Sequence, residues 1–164
     1  MNQALSRSSC GALITSTIGH LERVPYALLA IPLRFAAATV FWNSAMTKLA
    51  NWETALSLFT DEYQVPILPP EVAAYIATGI ELTTPVLLVL GLFARFAALL
   101  LLGMTGVIEI FVYPLAWPTH LQWAAMLLVL LCRGAGTWSF DALLWRKLGT
   151  EAGVRPPALT PRVR

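Results

Sequence analysis

AIPLRFAAATVFWNSAMTKLANWE, residues 30–53, is the stretch on which the fold turns. Its apolar run is long enough to cross a bilayer, for which about 20 residues suffice at 1.5 Å each. Yet it carries Arg34 well inside and Lys48 near its far end. A charge in hydrocarbon is costly and needs a partner within the bundle or a route to water. At 100° per residue, Arg34, Ala38, Phe41, Ala45 and Lys48 share one face, with Asn43 on the opposite side. Small residues between terminal charges suit a stripe turned towards other helices.

Outward from this helix, the chain reads as one membrane domain. It has 164 residues, 57% hydrophobic and 12% charged, where soluble domains carry about 25% charged residues. A net charge of +2, with no basic patch, excludes a nucleic-acid partner. Cys10 and Cys132 form no CxxC and no disulfide framework. No dinucleotide, P-loop or zinc-protease motif is present. His20 and His120 fall at opposite ends of the hydrophobic region, so one haem held between them is not expected, a haem held by one histidine stays open, and no Cys/His metal spacing is present.

The expected fold is all-α, a four-helix transmembrane bundle with an interfacial amphipathic loop helix and a C-terminal amphipathic segment. The spans lie at about 26–50, 71–93, 94–113 and 117–133. Residues 1–25 read as a cytoplasmic tail with a short surface helix at its end. The patch Ala12-Leu13-Ile14 is too short for a secretory leader and no A-x-A site follows. In 51–70, Trp52, Ala55, Leu56 and Phe59 recur at helical spacing opposite Glu53, Asp61 and Glu62, which describes a helix lying in the interface. YPLAWP (113–118) breaks the chain before the fourth span. Phe140 to Leu148 is amphipathic and closes the membrane domain, 26–148. Residues 149–164, with three prolines and three arginines, read as a disordered basic tail.

Nine of the eleven basic residues, all but Arg34 and Lys48, fall outside the first span on one side of this four-span topology, while the 51–71 loop is acidic. The positive-inside rule therefore puts both termini in the cytoplasm. Helix rise then places Arg34 about 12 Å, Glu81 about 18 Å and Glu109 about 21 Å from the inner boundary. Arg34 is expected to pair with Glu81. Glu109 is expected to meet Lys48 or His120, a residue type that titrates near neutral pH. These five residues are the candidate site. The competing structural readings are a register lock for Arg34–Glu81, snorkelling for Lys48 and an interfacial His120. Trp42, Trp52, Trp117 and Trp123 read as belt or packing residues.

LRFAAATVFWNSAMTKLANW, TDEYQVPILPP, GIELTTPVLLVLGLFAR, the THLQW region and RGAGTWSFDALL, in this order and spacing, resemble the DoxX family over about residues 28–145. The resemblance implies a four-helix protein of bacterial inner membranes. It also implies association with quinone-linked redox complexes, since the family name derives from a subunit linked to quinol oxidation and thiosulfate:quinone oxidoreduction. Arg34, Lys48, Glu81 and Arg95 match recurring family positions, without a catalytic role attached. The chain lacks the paired thiols and metal set of an independent redox enzyme, so an accessory or anchoring subunit, not catalytic on its own, is the expected function. Quinone is the one cofactor the resemblance implies. The expected partners are the bilayer, a redox protein and a second copy of the chain. A small-molecule or proton-linked carrier and a non-catalytic structural protein are the alternatives.

Overall fold

A computed structural model describes residues 2–152, with side chains described over 11–147. All regular elements among the described residues are helical: α1 Asn2–Glu22, α2 Tyr26–Ala50, α3 Trp52–Ser57, α4 Pro70–Leu90, α5 Ala94–Val107, α6 Trp117–Arg133 and α7 Phe140–Ala152. π-helical stretches, Leu58–Tyr63 and Ile108–Val112, extend α3 and α5. Four segments are long and apolar enough to cross a membrane: Tyr26–Ala50, Pro70–Leu90, Ala94–Val112 and Pro114–Arg133.

The helix ends follow from local chemistry. Asn51 stops α2 and caps α3, its Oδ1 accepting from Thr54 N at 3.1 Å. Pro70 occupies the first turn of α4, where its missing N–H costs nothing. Gly91 ends α4 at φ +66°, a left-handed cap that glycine takes without strain. The second span therefore stops at Leu90, short of the expected 93. The third closes in π-helix at Val112, one residue before the expected end.

The N-terminal segment differs from expectation. In place of a tail with one short helix, α1 is a single 21-residue helix. Thr15 and Thr17 donate to the carbonyls of Gly11 and Leu13, so these hydroxyls are satisfied by the helix itself. The C-terminal amphipathic segment also runs further, to Ala152. Of the expected disordered tail, 149–152 are helical and 153–164 lie outside the described residues.

The bundle packs α2 on α4, α4 on α5, and α5 on α6. Its core joins Phe41 to Leu88, Leu101, Leu127 and Leu130, with alanines at 37, 38, 97 and 98. These small residues let backbones approach closely, which drives association where lipid and side chain are equally apolar. The α3 region packs its apolar face on the bundle. Ala55 and Phe59 are buried, and Phe59 packs on Ala73 and Ala74 at the start of α4. It covers the Lys48 end of the bundle.

Candidate functional site

Arg34 does not pair with Glu81. Its Nη2 donates to Val89 O at 2.7 Å, and its Nη1 donates to the carbonyls of Ala135 and Trp138 at 3.0 Å each. Val89 lies in the last turn of α4, where carbonyls have no helical partner. Ala135 and Trp138 lie in the turn before α7. Arg34, 5% exposed, thus ties α2, α4 and the α7 entry together through backbone oxygens. Its Nε has no partner among the described residues. Asp141 completes this end by accepting from the N–H groups of Phe93 and Ala94 at 2.7 and 3.1 Å, opening α5.

Glu81 pairs instead with Lys48. Nζ lies 2.7 Å from Oε2 and 2.9 Å from Oε1. Ser44 accepts from Lys48 at 2.8 Å and donates to Glu81 Oε1 at 3.0 Å. Ser44 and Lys48 are one turn apart on α2, so their side chains converge. The reason Arg34 fails to reach Glu81 is axial. Arg34 and Lys48 lie within about 40° of one face but about 21 Å apart along α2. In the antiparallel α2–α4 pair Lys48 meets Glu81, and the point on α4 that the Arg34 side chain reaches, Val89, lies about 12 Å from Glu81 along that helix. Snorkelling was the competing reading for Lys48; Ser44 and Glu81 hold it within the bundle.

Of the two partners expected for Glu109, the structure selects His120. Nδ1 and Oε2 lie 2.5 Å apart. The two residues flank the turn 113–116, which folds the first turn of α6 back on the π-helical end of α5. His120 is 5% exposed, and its ring packs 5.0 Å from that of Trp123.

Lys48, Glu81 and His120 border one cavity of about 640 Å³ between α2, α4, α5 and α6. Phe41, Phe59, Ile80, Met104 and Trp123 supply apolar and aromatic wall. Both π-helical stretches contribute to it, through Phe59, Tyr63, Ile108 and Val112. Such stretches are rare and concentrate at functional sites. They meet at the Lys48 end, where Tyr113 donates to Glu62 at 2.7 Å and stacks edge-on against Tyr63. That bond, then burial, raises the Tyr113 hydroxyl above the ordinary phenol range. Arg34 borders none of this cavity.

Sequence reasoning overlooked Ser44 and read Trp123 as packing. The available signal was a hydroxyl one turn before Lys48 and a tryptophan one turn after His120. Asn43, placed on the far side of α2, also borders the cavity. No cluster of three or more His, Cys, Asp or Glu side chains among the described residues could hold a metal.

A bundle of four membrane-capable helices around a largely apolar cavity defines a small integral membrane protein. The DoxX family model matches residues 29–114, from α2 to the turn after α5 and including Ser44, Lys48, Glu81 and Glu109. The chain belongs to the DoxX family. It is 28% identical over 136 residues to an uncharacterized protein of Haemophilus influenzae (strain ATCC 51907 / DSM 11121 / KW20 / Rd), covering 75% of this chain and 87% of that one. No solved structure matches.

Proposed function

We propose that this DoxX-family protein is an accessory subunit of a quinone-linked membrane redox complex, and that its cavity holds a lipid-soluble ring compound of the quinone class. The observation that carries the reading is a cavity of about 640 Å³ whose walls are aromatic and aliphatic while Lys48, Glu81 and His120 reach it. Both polar pairs are closed on themselves. A pocket of this kind suits an uncharged, hydrogen-bonding lipophile better than an ion. The basic residues around the spans support an orientation with both termini cytoplasmic in a bacterial inner membrane. Arg34, held by three carbonyls, serves as the anchor of the α7 entry.

The test is titration of the protein in nanodiscs with decylubiquinone, read by tryptophan quenching, since Trp123 borders the cavity. Saturable quenching that weakens at least tenfold when Met104→Trp fills the cavity supports the reading. Quenching that is linear with lipid concentration, or unchanged by Met104→Trp, overturns it. Gentle extraction of the tagged chain from its own membrane should bring down a redox partner. Recovery of the chain alone would remove the accessory-subunit part.

A further inference from the structure

We propose that His120 Nε2 is the hydrogen-bonding contact for a ring oxygen of the bound compound, and that the His120–Glu109 pair selects between its carbonyl and hydroxyl forms. The inference rests on the cavity being a site for a quinone-class ring. His120 is 95% buried, borders the cavity and commits Nδ1 to Glu109. Its Nε2 has no hydrogen-bond partner among the described residues. Nε2 is not among the buried atoms left without a partner, so it is accessible beside the cavity and open to a partner from within it. The 5.0 Å contact with Trp123, itself 5.7 Å from Phe41, restrains the imidazole plane.

The chemistry follows from the tautomer. A carboxylate accepting from Nδ1–H leaves the lone pair on Nε2. In that state Nε2 accepts from an O–H, so the site favours a dihydroxy ring. With one more proton Nε2 becomes a donor, and the site favours a carbonyl oxygen. Glu109 holds the other end of the pair, and its side chain is 32% exposed. The other charged and titratable groups facing this end are otherwise engaged or outside it. Lys48 and Glu81 are bonded to each other, Tyr113 is bonded to Glu62, Tyr63 packs between Phe59 and Tyr113, and Asp61 is exposed.

The experiment compares decylubiquinone with its hydroquinone, anaerobically, in the same nanodiscs between about pH 5 and pH 8, the range in which imidazole charge changes. In the wild type the affinity ratio should move towards the quinone as pH falls, approaching but not exceeding about tenfold per pH unit for one linked proton. His120→Gln keeps an amide near the Nε2 position but cannot titrate, so it should bind both forms with a flat ratio. Glu109→Gln removes the carboxylate that holds Nδ1 and should displace the midpoint. Thermal unfolding of each variant establishes folding, and the Glu109→Gln midpoint decides if His120→Gln unfolds. Binding of both forms by the wild type with a pH-independent ratio overturns the role of His120 and leaves the cavity reading standing. The same slope in folded His120→Gln does likewise. Failure of both forms to bind the wild type removes the cavity reading and this inference with it.

Discussion

Lys48 Nζ lies 2.7 Å from Glu81 Oε2, and the two side chains are only 15% and 4% exposed. This is a buried ion pair linking α2 to α4 with Ser44 between. Removing one partner of such a pair leaves an uncompensated charge, at a cost of about 3–5 kcal/mol, whereas replacing both by apolar residues is often neutral. Lys48→Met and Glu81→Leu should therefore each lower stability by that amount. The double variant should recover most of it. Unfolding of the four proteins in one detergent, scored as a double-mutant cycle, checks this. Full additivity of the two losses would refute the pairing.

Arg34 anchors a different part of the molecule. Arg34→Met removes three charge-assisted bonds to carbonyls and should destabilise by about 2–4 kcal/mol. Its loss should add to that of Glu81→Leu within about 0.5 kcal/mol, because the two share no partner. Hydrogen exchange should rise first over residues 134–147, where Ala135 and Trp138 lose their donor. Coupling above about 1 kcal/mol between positions 34 and 81 would contradict the observed separation.

Gly91 tests the same end from the backbone. It sits at φ +66°, and a Cβ there would meet Ser139 Cβ at 2.5 Å and Arg34 Nη1 at 3.1 Å. The left-handed conformation alone costs alanine about 1 kcal/mol, and the contact with Ser139 adds to it. Gly91→Ala is expected to lower stability by about 2–3 kcal/mol and to loosen the α7 entry. Gly103→Ala, with open space around the added methyl, is the control and should be neutral or stabilising.

Tyr113 and Glu62 join the two π-helical stretches at the Lys48 end. The phenol is raised above its unfolded value of 10.0, chiefly by this hydrogen bond. A raised folded value means the contribution is fully present below about pH 10 and fades as pH climbs through the higher folded value. Tyr113→Phe should therefore cost about 0.5–1 kcal/mol, constant from neutral pH to about pH 10 and shrinking above it. Stability measured for both proteins across that range checks the sign. A difference that grows above pH 10 would contradict it.

Some of this was legible in the sequence because it depends on local order. Hydropathy marks the four spans, and asparagine, proline and glycine mark where helices start and stop. The Glu109–His120 contact lies within that reach, since eleven residues and one short turn join its ends. Even there the sequence left Lys48 open as the alternative. The N-terminal helix was missed because hydroxyl-rich segments read as polar until their side chains turn back onto the helix carbonyls.

By itself, then, the sequence determined a helical membrane protein with charged residues inside its spans, and it placed Arg34, Lys48, Glu81, Glu109 and His120 on inward faces or helix ends. Only the tertiary structure decided who meets whom. Arg34 and Lys48 share a face of α2, so periodicity cannot choose between them as partners for Glu81. The axial register of α2 against α4 makes that choice. Arg34's true partners are backbone carbonyls at a helix end and a turn, groups that every residue carries and that no side-chain pattern can distinguish.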